Sequence, residues 1–527
     1  GILLKSVTDN TNWASNANIT IGRNRTGAQW VNGSISNLRV IKGTALYTSS
    51  FKPPTAPLTN VTNTVLLTLN NSSATGATVS PGTWTNSNVT ASTDSPFDDP
   101  AGFVFGDSQE GVIKCGSFVG AGSSAVDVNI GFEPSWVIIK NASVSENWFV
   151  FDNLRGVTTG GNDNRLQADS TGSEFTTFDY LEFNSTGFKV NGNATAGVNG
   201  NGNTMTFVAI RRSDGYVGKP YGAGEGTSVF AIDTGNGSAN GPAFDSNFAV
   251  DFTFSKEPAS SGYWIATARL INKWLKLNET DAGASLSSYE RYDFSKGVHQ
   301  QYTSSNQAWM FKRHAGFDVV AYTPKFSGSG FEPIRHNLGP NNVPEMIWVK
   351  NIEDGGTNDQ WAVYHKDLSN TPYNNALHLN EAKNINNISN QQYYWGQAFT
   401  SQFFYVYNGQ SRTGDQGTKY LAMLFSSVDG ISSAGSYSGS NSSQTITLGF
   451  QPRFIIIKNI NDTRNWQVLD TTRGWGSGND CRLFMDITES QICTSDVGAP
   501  TSTGFTLTGG NQRWSIAGDT YIYYAHA

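Results

Sequence analysis

Six histidines, three cysteines and scattered carboxylates are the groups in this 527-residue chain that could hold a metal or move a proton. The histidines are His299, His314, His336, His365, His378 and His526, and no two stand at His-x-His or His-Glu-x-x-His spacing. No strand or helix therefore offers two imidazoles side by side to a metal. His365 and His378 fall in neighbouring expected strands and can approach each other, but no third ligand accompanies them. Surface or hydrogen-bonded histidines are the expectation. Cys115, Cys481 and Cys493 are odd in number and lack Cys-x-x-Cys or Cys/His spacing. They make neither a disulfide framework nor a zinc site, and free buried thiols are expected. A Cys481–Cys493 bridge is open but not required. There is no Gly-x-Ser-x-Gly elbow. The glycine-rich run GAGEGTS at 222–228 leads into a strand, SVFAID, rather than into a helix whose N-terminus would hold phosphate. The run DTGNG from Asp233 departs from the order of a calcium loop. The expectation is no catalytic residue, no metal and no cofactor, hence not an enzyme.

Two polar features are more specific. Asp-x-x-Arg-Gly occurs as Asp152, Arg155 and Gly156 and again as Asp470, Arg473 and Gly474. An Asp/Arg pair that closes a strand-end turn, with glycine supplying a positive φ, accounts for it without catalysis. The second feature is a set of aromatics in turn-rich polar loops, Tyr393, Tyr394 and Trp395 in QQYYWGQ and Trp475 in RGWGSGND. Aromatic faces in such loops stack on sugar rings, so these four are candidate glycan contacts. The competing reading is that they fill an interface or a core.

The elements that position these residues recur. Residues 449–474 read GFQPRFIIIKNINDTRNWQVLDTTRG, and residues 131–156 read GFEPSWVIIKNASVSENWFVFDNLRG. In each, a Gly-Phe-x-Pro turn precedes a β-branched run ending Lys-Asn, and a second run opens on Asn-Trp. Weaker copies place Trp264 and Trp361 at the corresponding positions, so Trp148, Trp264, Trp361 and Trp466 stand about 100 residues apart, one small domain each. Strand alternation puts each tryptophan on an inward face, and the four are expected as core anchors of beads that fold separately. The run Ile455, Ile456, Ile457 is apolar on both faces, so it is either a central strand covered on both sides or a strand that packs on a neighbouring chain, and the second is the expectation. Short runs split by turn residues imply an all-β fold of tandem β-sandwich domains. The expected boundaries are 1–97, 98–213, 214–314, 315–427 and 428–527, the third being the most divergent module. The linker at 95–102 carries the acidic pair Asp98 and Asp99, read as a solvated turn.

A net charge of −7 with scattered basic residues argues against nucleic acid as a partner. No apolar run is long enough to span a membrane, and 12% aromatic residues argue for packed structure over disorder.

Residues 21–58, IGRNRTGAQWVNGSISNLRVIKGTALYTSSFKPPTAPL, resemble the closing strands of a LamG-type, concanavalin A-like jelly roll, as found in virion proteins of marine bacteriophages. The opening half of that jelly roll is missing from the resemblance, and the expectation is a natural start upstream of Gly1. Nearly the whole chain, through phrases such as HNLGPNNVPEMIWVKN, resembles repeated modules in tail-fibre and other virion proteins of marine phages, including cyanophages. The resemblance implies a partial LamG-like module followed by β-sandwich repeats, a virion-surface fibre or adhesin, a homotrimer, contacts with other virion proteins and binding of host-surface glycans. The concanavalin-like fold also hosts glucanases that carry Glu-x-Asp-x-x-Glu on one strand. Here Glu279 and Asp281 are followed by Ala284 where the second glutamate belongs, so a polysaccharide depolymerase is the alternative reading, with a capsid decoration protein as another.

Overall fold

The computed structural model describes residues 20–23, 31, 35–47, 57–71, 73, 76–83, 85, 89–90, 112–192, 194–212, 226–238, 241–286, 292–299, 304–326, 328, 330–338, 342–476 and 478–527. The linker carboxylates Asp98 and Asp99 lie outside them. The chain divides into two compact units, residues 1–104 and 105–527. In the first, strands Leu38–Ile41, Thr64–Thr68 and Ala77–Val79 form an antiparallel sheet in that order, with Leu66 and Leu67 buried.

The second unit is all-β, built of tandem β-sandwich modules, here numbered 1 to 4 in chain order. In module 4 one sheet runs Ser432–Ser438, Thr520–His526, Phe454–Asn459, Gln467–Asp470, Asp480–Phe484, Ile492–Ser495, and a smaller sheet covers it. Module 1 repeats that order as Ile113–Val119, Thr204–Arg211, Pro134–Asn141, Trp148–Asp152, Asp163–Gln167, Phe175–Phe178. Modules 2 and 3 keep the first five positions of this order, with strands Phe252–Lys256 and Met346–Asn351 at the third. The module's last long strand inserts second in the sheet, so both chain ends of the module pair and the fold closes on itself. Among the described residues the only α-helix is the short Ala196–Asn199, and no helix is long and apolar enough to cross a membrane.

The triple-isoleucine strand explains how the modules join. Ile455 and Ile457 pack with Leu469, Phe505 and Tyr521 inside module 4, whereas Ile456 points the other way, with Phe454 and Val468, into a core shared by modules 2, 3 and 4. A strand covered on both faces needs apolar residues on both. The neighbour expected to be another chain is a sibling module of the same chain. These modules are not separate beads either, because one hydrophobic core spans them. The three large sheets face one another as a prism, and aromatic layers fill its middle. Phe254 lies 6.3 Å from both Trp348 and Phe454, and Phe311 lies 6.2 Å from Phe425 and 6.4 Å from His526.

The thiols differ from the expectation. Cys481 and Cys493 form a disulfide between adjacent strands, and Cys115 is free but exposed. Strand pairing of Asp480–Phe484 with Ile492–Ser495 brings the two cysteines together, a proximity set by register and invisible in their spacing.

Candidate functional site

The most organised polar chemistry lies in the seam between modules. It is built from the Lys-Asn and Asn-Trp ends of the repeated phrase. Trp264, Trp361 and Trp466 begin equivalent hairpins, and each backbone N–H donates to a side-chain oxygen two residues past the next strand, Asn278, Asn380 and Asp486 respectively, at 2.9, 3.0 and 3.0 Å. That contact fixes the indole so that it projects out of its own module. Trp264 Nε1 donates to the Phe484 carbonyl at 2.7 Å, Trp361 Nε1 to Lys276 at 2.8 Å, and Trp466 Nε1 to His378 at 2.9 Å. Module 2 thus reaches module 4, module 3 reaches module 2, and module 4 reaches module 3. The cycle closes, and the accepting carbonyls occupy one equivalent strand position.

Lysines repeat the pattern. Lys256 Nζ donates to the Thr488 carbonyl at 3.1 Å, Lys350 to Thr280 at 2.9 Å, and Lys458 to Ala382 at 2.9 Å. Each acceptor stands four residues beyond the carbonyl that the indole uses. Each lysine also donates to the carbonyl two residues before its own module's tryptophan, namely Gly262, Asp359 and Arg464. Burial pushes all three ammonium groups down, to about 8. A buried cation must be satisfied by fixed dipoles, so a lysine here specifies where the neighbour's backbone goes.

The Asp-x-x-Arg-Gly turn is the expected strand-end pair. Asp470 accepts from the Arg473 backbone at 2.9 Å and from Arg473 Nε at 2.7 Å, and Gly474 has φ of 92°. Asp152 and Arg155 repeat it at 2.8 and 2.6 Å, with Gly156 at 121°. In module 4 the same carboxylate also accepts from Gln307 and Trp309 of module 2, each at 3.2 Å.

His365 lies in the seam between modules 3 and 4. Its Nδ1 accepts from the Asp367 N–H at 3.2 Å, and its Nε2 faces the Tyr523 carbonyl at 3.3 Å. Burial pushes its pKa down to about 4. An unfolded chain would take up the proton near the ordinary 6.5, so the contribution is complete above pH 6.5 and is lost as pH falls toward 4. Between pH 7 and 4.5 the parent is therefore expected to lose about 2–3 kcal/mol more stability than His365→Gln, read from urea denaturation at each pH. An equal slope in both would remove His365 from the acid response. His378 does not join His365 as a metal pair; its ring contacts Glu381 Oε2 at 2.5 Å and the Tyr394 hydroxyl at 2.9 Å. Among the described residues no cluster of three metal-ligating side chains occurs. Asp281, half of the Glu-x-Asp run, pairs with Lys276 at 2.6 Å.

The loop aromatics divide. Tyr394 and Trp395 are fully buried and Trp475 is nearly so, which removes them as glycan contacts. Trp395 packs against Tyr364 and Phe399, and Trp475 against Phe505. Loops rich in polar residues still plug sandwich ends with aromatics, and local composition does not reveal this. Tyr393 alone of the four is exposed.

The core tryptophans divide too. Trp264, Trp361 and Trp466 are 0%, 0% and 1% exposed, whereas Trp148 is 43% exposed. The expectation of a core anchor fails for Trp148 because the tryptophan of this phrase faces a neighbouring module, and among the described residues module 1 has none on that side.

Module 1 meets the prism through a backbone bond, Thr159 N–H to the Leu270 carbonyl at 2.8 Å, and through charge. Glu133 contacts Arg313 of module 2 at 2.6 Å, and Arg212 contacts Asp318 of module 3 at 2.6 Å, all four side chains being buried. Asp251 completes the cluster, 3.5 Å from both Arg313 and Arg269. Burial pushes the Asp251 carboxyl up, but Arg313 and Arg269 more than offset this and hold it below the ordinary range.

A family model described as a domain of unknown function (DUF7483) matches residues 32–214 and 303–527. The chain belongs to the DUF7483 family. The unmatched internal stretch, 215–302, holds most of module 2, the module in which the Gly-Phe-x-Pro turn is missing. No curated protein matches the chain.

Proposed function

We propose that this DUF7483 protein is a structural protein of a virion surface, a rigid element of a tail fibre or comparable external appendage that acts by binding rather than by reaction. The observation that carries the reading is where the buried polar groups are used. Three lysines, three indoles and a cluster of buried arginines and carboxylates are directed at neighbouring modules. Perturbed groups in an enzyme converge on a cleft; these converge on seams, which suits a part whose task is to keep its shape. The resemblance of the repeated phrases to marine phage fibre modules supplies the particle. The Cys481–Cys493 bridge suits surroundings outside a reducing cytosol.

Host-surface glycan is the partner this reading implies. The exposed Tyr393 ring lies 4.9 Å from Tyr407, which in turn meets Phe331 at 5.3 Å, a short aromatic ladder at the edge of module 3. Tyr393→Ala is expected to weaken glycan binding roughly tenfold with the fold intact, measured by calorimetry against host surface polysaccharide. The decisive experiment incubates the purified chain with that polysaccharide and follows retention and reducing ends together. Retention without new reducing ends is expected. Release of reducing ends would replace the reading with a depolymerase, and labelling of the head rather than the tail on intact particles would replace it with a decoration protein.

A further inference from the structure

We infer that module 1 closes a second prism with two further copies of this chain, so that the protein assembles as a homotrimer through the seam that modules 2, 3 and 4 already form internally. This inference rests on geometry within the chain and stands whether or not the protein belongs to a virion.

Module 1 carries every part of the seam. Its strand register matches that of module 4, with Ile138 opposite Val150 as Ile456 is opposite Val468. Trp148 N–H donates to Asp169 at 3.1 Å, the same contact that sets the indole in its three siblings. Lys140 ends the β-branched run where Lys256, Lys350 and Lys458 end theirs. The acceptors are present as well: the carbonyl equivalent to Phe484, Lys276 and His378 is that of Gln167, and four residues on stands Thr171.

What module 1 lacks, among the described residues, is the neighbour. Lys140 turns back to the carbonyl of Asn141 at 2.9 Å. Trp148 and Leu166 are exposed, and Trp136, Ile138, Val150 and Val208 are half-buried on the same sheet face. The module 4 equivalents, Phe454, Ile456, Val468, Tyr524 and Leu483, are all buried in the shared core. An open apolar sheet face of this kind marks an interaction surface, and modules 2 to 4 show what covers it: two more modules of the same build, related by rotation. Modules 2, 3 and 4 are already committed to one another, and module 1 reaches the prism through Glu133, Thr159, Glu182 and Arg212, none of which is among the residues of this face. Its matching neighbours are therefore module 1 of two other copies, and a ring of three closes the symmetry. In that ring Trp148 Nε1 donates to the partner's Gln167 carbonyl and Lys140 Nζ to the partner's Thr171 carbonyl.

Light scattering on the full chain at micromolar concentration is expected to give three times the chain mass of 57.0 kDa. Trp148→Ala and Lys140→Glu are each expected to raise the dissociation constant roughly a hundredfold or more, leaving monomer with the parent's circular dichroism. Leu166→Lys, at another exposed position, breaks the same face independently if either variant folds poorly. Cys115, exposed on this face, supplies a second readout: a thiol reagent should label it several-fold faster in Trp148→Ala than in the parent. A parent that stays monomeric, a dimer, or a trimer that survives Trp148→Ala combined with Lys140→Glu would overturn the inference.

Discussion

Trp361→Ala is expected to destabilise the chain by about 3–5 kcal/mol, whereas Trp148→Ala, with the chain dilute enough to be monomeric, should cost less than about 1 kcal/mol. The two residues open equivalent hairpins, and composition does not separate them. Trp361 is enclosed between modules 3 and 2 and donates to the Lys276 carbonyl. Its removal leaves a cavity in a shared core and an unanswered carbonyl. Trp361→Phe isolates the second effect, since it keeps most of the volume and loses the N–H; about 1–3 kcal/mol is expected. Because one core spans modules 2 to 4, the loss should appear as a lower midpoint of a single urea transition followed by tryptophan fluorescence. A cost below about 1 kcal/mol for Trp361→Ala would mean that the closed cycle of indoles contributes shape but little stability.

Much of this was legible in the residues. Turn residues between short β-branched runs announced the sandwich, and the Pro-to-Trp phrase announced the modules. The pair Lys-Asn was visible, though its two roles were not. Asn141, Asn351 and Asn459 each accept from two backbone N–H groups of the following turn, a local task that sequence spacing expresses. Beside two of them, Lys350 and Lys458 act on a backbone in another module, and nothing within their own hairpins encodes that. The same limit explains the aromatics. Tyr394 and Trp395 sit in a loop as polar as any sugar-binding loop, and only the return of Phe403–Tyr407 beside them decides that they are core. An isoleucine run that is apolar on both faces states that a partner exists; whether the partner belongs to the same chain depends on how modules about 100 residues apart close into a ring.

Replacing Glu133 tests the other joint. Three carboxylates, Glu133, Asp251 and Asp318, face three guanidinium groups, Arg212, Arg269 and Arg313, and modules 1, 2 and 3 all contribute. Glu133→Gln keeps the shape and removes one negative charge from this balanced set. The burial cost of Arg313 and Arg212 remains, and two carboxylates are left to offset three cations. Breaking a buried pair from one side costs on the order of 3–5 kcal/mol, larger than an exposed bridge such as Lys325 with Asp127 would yield. Because Glu133 belongs to module 1 and Arg313 to the prism, the cost is expected to fall on their attachment: module 1 should unfold in a separate, earlier urea transition, while the prism keeps its midpoint. Combining Glu133→Gln with Arg313→Gln removes both buried charges, and the pair should be less damaging than the sum of the two single changes. Strict additivity, or a single transition with an unmoved midpoint in Glu133→Gln, would show that apolar contacts rather than this charge cluster hold module 1 in place.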